Sequence, residues 1–142
     1  MKVLFDTNII LDVLLDREPH VHASLYLMSR AERGEFTAFA CATTITTIHY
    51  LTAKALGVEA ASRHIASLLA LFTIAPVNRL ALDGALHSEF TDFEDAVLHE
   101  AAIHAGAQYI VTRNIRDFQQ AKIPVYEPKT LIGITNTLSD EH

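Results

Sequence analysis

Carboxylate side chains stand at points of this sequence where an apolar run ends and a helical pattern begins. Asp6 directly follows the strand-like run at residues 3–5, and the apolar pattern resumes with Ile9 and Ile10. Burying an ionised carboxylate without a partner costs several kcal/mol, and no Lys or Arg occurs among the five residues after Asp6. Two partners are open to it: the backbone N–H groups of a following helix, or a metal ion.

Two other groups of polar side chains share this character. Asn114 and Asp117 follow the apolar run at residues 109–112, and Asp92 and Asp95 lie three residues apart where another helix is predicted to start. Residues three apart share a helix face, and ligands bind open parallel sheets beyond the carboxyl ends of the strands. If the two strands concerned are both central in the sheet, the polar residues that follow them face one pocket.

Each group also has a purely structural interpretation. Thr91-x-x-Glu94 is a capping box, and Asp92 and Asp95 would stabilise the start of a helix through its dipole. Asn114 suits the cap of a short helical turn. Taken together, however, three or four carboxylates in one crevice repel one another and stay ionised only around a cation. Ligands that are all oxygen select a hard ion, Mg²⁺ or Mn²⁺, over zinc.

Strand-like and helical patterns alternate along nearly the whole chain. The apolar runs are short, as expected for strands covered on both faces. They predict a single domain over residues 1–142, an α/β fold with a three-layer α/β/α sandwich and a mostly parallel central sheet. The predicted strands are 2–5, 37–41, 72–75, 109–112 and 123–126. Four helices are predicted over residues 22–34, 43–55, 58–71 and 91–105. Three further helices are predicted: one capped by Thr7 or Asn8 and ending near residue 16, one capped by Asn78 and ending near residue 89, and one beginning at Pro128.

The composition narrows the class of protein. Half of the 142 residues are hydrophobic, which favours a packed globular fold. The longest nearly unbroken apolar stretch, residues 65–75, is shorter than the roughly 20 residues that span a membrane, and the N-terminus lacks the pattern of a signal peptide. Cys41 is the only cysteine, which rules out an internal disulfide and suits a reducing cytoplasm.

The formal net charge of −6 argues against a protein that coats nucleic acid along its surface, because Lys and Arg supply the phosphate affinity of such proteins. The net charge does not exclude a phosphodiester substrate that binds at one local site. Acids that hold a divalent cation count as negative in the sum, and the bound metal offsets them.

The three polar groups, in this order, resemble the motifs of PIN-domain proteins. These are small metal-dependent ribonucleases that include the toxin halves of many bacterial toxin–antitoxin pairs. The resemblance spans the whole chain. The matching segments are Asp6-Thr-Asn-Ile-Ile-Leu-Asp, Asp92-Phe-Glu-Asp95-Ala and Thr112-Arg-Asn114-Ile-Arg-Asp117-Phe.

The resemblance implies a role for each acid. Asp6 and Asp95 correspond to the principal metal ligands, and Asp117, with Asn114 beside it, corresponds to the further acid that completes the site. Asp92 matches an acid that lies outside the innermost ligands or serves a second metal. All five residues are therefore expected in the catalytic site.

Three further residues are implied on the substrate side. Thr112 resembles a hydroxyl residue that orients a carboxylate or a water molecule. Arg113 and Arg116 flank the acids and would grip backbone phosphates, although solvation at the surface is an equally good interpretation of both.

The resemblance also implies an activity and partners. The chain is expected to be an endoribonuclease that uses Mg²⁺ or Mn²⁺ to hydrolyse single-stranded RNA and leave a 5′-phosphate, in the cytoplasm. A homodimer is expected, together with an antitoxin protein if the chain is the toxin of a toxin–antitoxin pair. No association with a membrane is expected.

One position departs from the resemblance. PIN-domain nucleases usually carry a Glu on the helix after the second strand, and the nearest residue here is Thr47. Losing one carboxylate weakens metal affinity. His49 does not share the helix face of Thr47, because residues two apart point in different directions, and it is interpreted as structural. The alternative function is therefore a catalytically weakened PIN-like module that binds RNA or a protein partner.

A phosphoryl-transfer receiver or phosphatase is a third class, since it would share the α/β sheet and the acid after the first strand. Such proteins need a second acid close to the first and a Lys after a late strand. Here Asp6 is followed by Thr7 and Asn8, and the late strand is followed by Arg113 and Asn114. This class is therefore disfavoured.

Overall fold

The computed structural model describes the backbone of residues 1–140 and the side chains of residues 1–137. Within these residues, five strands form one sheet in the order β3-β2-β1-β4-β5, and every neighbouring pair is parallel. The mostly parallel α/β fold predicted from the sequence is confirmed. The strands are β1 Lys2–Phe5, β2 Thr37–Cys41, β3 Thr73–Ala75, β4 Tyr109–Val111 and β5 Val125–Tyr126.

Helices connect the strands throughout. The longest is α3, with 15 residues, and no helix within residues 1–140 is both long and apolar enough to cross a bilayer. A short 3₁₀ helix, Ile115–Phe118, follows β4. The α-helices are α1 Thr7–Leu14, α2 Val21–Glu32, α3 Ala42–Leu56, α4 Val58–Leu71, α5 Arg79–Leu86, α6 Phe93–Ala105 and α7 Pro128–Asp140.

Alternate side chains of β1 divide the core into two layers. Val3 and Phe5 belong to a buried cluster that includes residues of α1, α2, α3, α4 and α7. Leu4 belongs to a second buried cluster, with residues of α6. Successive strand residues point to opposite faces of a sheet, so helices cover both faces, which is the predicted three-layer arrangement.

The strand order places β1 beside β4, at the centre of the sheet. The chain builds β2 and β3 on one side of β1 and then returns to add β4 and β5 on the other. Asp6 continues this pairing, since its backbone N–H donates to the carbonyl of Val111 at 3.0 Å. A crevice opens at such a reversal of strand order, and ligands of α/β sheets bind there. The two strands whose ends carry polar residues are thus neighbours in the interior of the sheet, the condition under which those residues face one pocket.

Two helix starts differ from the prediction. Asp6, rather than Thr7 or Asn8, caps α1. The other helix, α6, begins at Phe93 with Asp92 as its cap, whereas the sequence predicted a start at Thr91. In both cases an Asp side chain accepts a hydrogen bond from a backbone N–H in the first turn, and Asp is at least as good a cap as Thr. The predicted bounds of β1, β2 and α4 coincide with the observed ones, and helix and strand ends elsewhere differ by at most three residues. The last helix is longer than the short one expected.

A buried ion pair ties α1 to the segment between β4 and the 3₁₀ helix. Asp12 is fully buried and accepts hydrogen bonds from Nε and Nη2 of Arg113 at 2.6 and 3.2 Å. Arg17 approaches the same carboxylate at 3.7 Å. The bidentate geometry fixes both partners, so the pair anchors the start of the segment that carries Asn114 and Asp117.

Replacing Asp12 by Ala should destabilise the protein by about 2–3 kcal/mol, because it leaves the half-buried Arg113 without its counter-charge. Urea unfolding followed by circular dichroism measures this change. Asp83→Ala is the matched control, since Asp83 pairs with Arg79 on the exposed face of α5 and such pairs contribute little. Equal effects of the two substitutions would show that the buried pair is not the anchor.

Candidate active site

A cavity of about 190 Å³ lies at the carboxyl end of the central strands. It is lined by Asp6, which follows β1, by residues of α1, α3 and α6, and by Asn114 in the segment after β4. Larger cavities of about 310 and 490 Å³ occur elsewhere, but they are lined by fewer carboxylates. The polar residues that line the central cavity include Asp6, Asn8, Thr47, Glu94, Asp95 and Asn114.

Asp6 is buried at the floor of the site, and both of its oxygens are engaged. Oδ1 accepts from the backbone N–H of Thr7 at 2.8 Å, and Oδ2 accepts from the hydroxyl of Thr112 at 2.7 Å. The same hydroxyl accepts from the backbone N–H of Asn114 at 3.0 Å, so one chain of hydrogen bonds joins the ends of β1 and β4. Burial nevertheless raises the pKa of Asp6, and the charges of nearby acids raise it further.

Asp95 lies across the cavity, at the third position of α6. Its pKa is raised from 3.8 to about 7, first by burial and then by the negative charges of Asp92, Asp6, Asp117 and Glu94. Asp95 is thus a carboxyl that holds its proton close to neutral pH. Its ionised form is held at an energetic cost that a cation in the cavity would remove.

The structure brings the predicted site residues together to different degrees. Asp6, Asp95 and Asn114 line the cavity itself. Asp117 is exposed on the 3₁₀ helix, and its charge acts on both Asp6 and Asp95. Asp92 is also exposed, and its carboxylate caps α6 by accepting from the backbone N–H of Asp95 at 2.9 Å. Its visible role is therefore to hold Asp95 in place.

The two predicted phosphate-binding residues differ in environment. Arg116 is exposed on the 3₁₀ helix. Arg113 is half-buried, and two of its nitrogens are engaged by Asp12. Thr112 is buried, and its hydroxyl donates a hydrogen bond to Oδ2 of Asp6 at 2.7 Å.

Glu94 lines the cavity although its sequence pattern did not predict it as a site residue. The pattern Thr91-x-x-Glu94 predicted a capping box, but the cap is Asp92. The hydroxyl of Thr47 on α3 donates to Oε1 of Glu94 at 3.4 Å. A second pattern in the sequence, Asp92-x-x-Asp95, also predicts a cap at Asp92. With that cap, Glu94 has no role in capping and is available to the site.

The donor chemistry fits a hard divalent cation. The available ligands are carboxylate and amide oxygens, which Mg²⁺ and Mn²⁺ prefer, and two of the carboxylates have raised pKa values. Among the side chains that the structure describes, those of residues 1–137, no three of Asp, Glu, His or Cys lie close enough together to enclose an ion. Binding therefore requires at least one carboxylate to turn inward, and the exposed acids of the site are the ones placed to do so.

The fold and the site define an α/β protein with an acidic crevice where the strand order reverses. The sequence model of the PIN domain matches residues 2–116, so the chain belongs to the PIN-domain family. The resemblance noted from the motifs is confirmed. A search of curated proteins by sequence found no match.

Solved structures with the same fold come from toxin–antitoxin systems. VapBC2 of Rickettsia felis, bound to a DNA fragment from its promoter, matches with a TM-score of 0.68 and 16% identity over 89% of this chain and 98% of the other. A toxin–antitoxin complex from Klebsiella pneumoniae matches with a TM-score of 0.66 and 21% identity, over 89% of this chain and 97% of the other. VapC20 of Mycobacterium tuberculosis, described as a toxin that cleaves the sarcin–ricin loop, matches with a TM-score of 0.61 and 14% identity, over 76% of this chain and 86% of the other. At these identities the similarity establishes the fold.

Asp95→Asn should raise the melting temperature of the metal-free protein at pH 8. A carboxyl whose pKa rises from 3.8 to about 7 on folding binds its proton more tightly in the folded state. Its contribution to stability therefore falls as the pH rises through that interval. The gain from the substitution should be absent near pH 4 and largest above pH 7.

Thermal unfolding in the presence of a chelator, at pH 4 and pH 8, measures this difference. Asp83→Asn, on the exposed face of α5, is the matched control and should show no such dependence. If Asp95→Asn lowers the melting temperature at pH 8, the carboxylate is not under electrostatic repulsion.

Proposed function

We propose that this chain is a metal-dependent endoribonuclease that hydrolyses phosphodiester bonds of single-stranded RNA. The observation that carries the proposal is that Asp6, at the end of β1, and Asp95, on α6, line one crevice, where the charge of Asp117 acts on both and the pKa of Asp95 is raised to about 7. Membership of the PIN-domain family supports the same reaction class.

Asp6, Asp95 and Asp117 would hold Mg²⁺ or Mn²⁺, with Asn114 beside them. When bound, such an ion activates water and neutralises charge that develops on the phosphate during hydrolysis. The chain's own residues fix the geometry of these ligands. Thr112 orients Asp6 through its hydroxyl, and the Asp92 cap holds the first turn of α6.

The substrate would be gripped next to these acids. Arg116 is exposed and would bind a backbone phosphate. Arg113 would do so with the part of its guanidinium that Asp12 leaves accessible, since the side chain is 27% exposed. With a net charge of −6, the protein would hold RNA by such local contacts and by the metal rather than by a broad basic surface.

We also propose that the chain acts as the toxin of a toxin–antitoxin pair, as a cytoplasmic homodimer that an antitoxin protein inhibits. The solved structures with this fold include toxin–antitoxin complexes. Large apolar side chains on α3 and α4 are exposed and suit a protein interface. They include Tyr50, Leu56, Val58 and Leu69, each about half or more exposed.

A non-catalytic binding module is the second candidate, and Thr47 is the observation that favours it. Helix α3 lines the cavity with threonines at the place where PIN-domain nucleases usually have a Glu. Calorimetry with Mg²⁺ and Mn²⁺ separates the two functions, because a module without a working site would bind neither ion at millimolar concentration.

The double variant Asp6→Asn with Asp95→Asn should lose RNA cleavage by about a hundredfold or more, since each change removes an anionic ligand of the metal. Cleavage of a mixed single-stranded RNA pool in Mg²⁺ measures the loss, and the products should carry 5′-phosphates. The control is Asp16→Asn with Asp83→Asn, two exposed acids that do not line the cavity. Wild-type activity in the double variant would end the proposal.

A further inference from the structure

The first turn of α6 contains two acidic residues, Glu94 and Asp95, whose positions in the turn differ. Because Asp92 is the cap, Phe93 takes the first helical position, Glu94 the second and Asp95 the third. The carboxylate of Asp92 already satisfies the backbone N–H of Asp95. The side chain of Glu94 is therefore not needed for the cap, and it lines the cavity instead.

Glu94 lies against the position where the family's usual carboxylate is missing. The hydroxyl of Thr47 has two acceptors within reach of its single proton, the backbone carbonyl of Thr43 at 3.1 Å and Oε1 of Glu94 at 3.4 Å. A Thr side chain is too short to reach far from its helix, whereas the Glu side chain extends toward α3 from the opposite wall. The carboxylate thus reaches the α3 side of the cavity although its backbone belongs to α6.

The charge of Glu94 acts on the predicted ligands. It is among the causes that raise the pKa of Asp6 and that of Asp95. Asp6 is buried among these groups at only 6% exposure. Glu94 therefore lies in the same electrostatic cluster as both acids, and a cation that binds between them would attract its carboxylate as well.

We propose that Glu94 supplies, from α6, the carboxylate that PIN-domain metal sites usually take from the helix equivalent to α3. The metal-binding set of this chain is then Asp6, Glu94, Asp95 and Asp117. This inference rests on the proposed function, since it concerns the same site. It also accounts for the Thr at position 47: the hydroxyl holds the relocated carboxylate rather than standing in for it.

The competing interpretation is that Glu94 stabilises α6 only through the helix dipole. Under that interpretation, Glu94→Gln lowers the stability of the metal-free protein slightly and reduces metal affinity only by the small effect of removing a nearby charge. A relocated ligand predicts a different pattern: metal-free stability is unchanged or raised, because a charge that repels Asp6 and Asp95 is removed, and metal affinity falls clearly. The two interpretations therefore separate without any measurement of catalysis.

The test measures binding of Mn²⁺ and Mg²⁺ to the metal-free protein by calorimetry, with Mn²⁺ binding followed in parallel by electron paramagnetic resonance. Glu94→Gln should weaken Mn²⁺ binding by about tenfold or more, because a carboxylate ligand is lost. Glu89→Gln is the matched control, since it makes the same charge change close by at an exposed residue outside the cavity. It should alter affinity by less than about twofold, in line with a screened surface charge.

A rescue variant tests the relocation itself. Thr47→Glu combined with Glu94→Gln returns the carboxylate to α3 and should recover most of the affinity that Glu94→Gln loses. Circular dichroism and thermal unfolding confirm that each variant is folded, and Glu94→Asp, which keeps the charge on a shorter side chain, provides an intermediate. Recovery supports a carboxylate moved between helices, and no recovery in a folded variant overturns that part of the inference.

The outcomes also separate this inference from the proposed function. If Glu94→Gln binds Mn²⁺ as well as Glu89→Gln does, while Asp6→Asn and Asp95→Asn abolish binding, Glu94 is not a ligand and the proposed nuclease site stands. If the wild-type protein binds neither ion at millimolar concentration, the proposed function fails and the inference fails with it.

Discussion

The burial of carboxyl groups beyond the carboxyl ends of the central strands, together with the repulsion between them, is the constraint on which the site depends. Asp6 is buried, and Asp95 is surrounded by the charges of several other acids. An arrangement of this kind costs free energy in the protein alone and is relieved when a cation binds. The same repulsion that destabilises the metal-free fold would increase the affinity of the site for a cation. Such a trade-off between stability and function is common in proteins.

The scaffold holds these acids in place through strand pairing, side-chain hydrogen bonds and an ion pair. The sheet places the ends of β1 and β4 side by side, and the hydroxyl of Thr112 links the two strand ends through Asp6 and the backbone of Asn114. The buried pair of Asp12 and Arg113 fixes the segment that follows β4. Rigid strands and short, tied segments keep these acids in position despite their repulsion.

The sequence predicted the elements well because their signals are local. Short apolar runs and helical periodicity gave the strands and helices, and Gly106 ends α6 in the left-handed conformation that terminates many helices. The predicted start of that helix was wrong by two residues, because Thr91 and Asp92 both suit a cap and only one can serve. Because the helix start was misplaced, Glu94 was assigned to the cap, whereas with Asp92 as the cap its side chain lines the cavity.

The sequence by itself determined which residue types follow each strand, and therefore that carboxylates stand at the carboxyl ends of β1 and near that of β4. Only the tertiary structure decided that Glu94 meets Thr47 across the cavity and that Arg113 is held by Asp12. The physical reason is that the two kinds of interaction join residues at very different separations along the chain. Helix and strand formation depends on neighbours a few residues apart, whereas these contacts join residues 47 and 101 positions apart, and their meeting depends on strand order and on packing between layers.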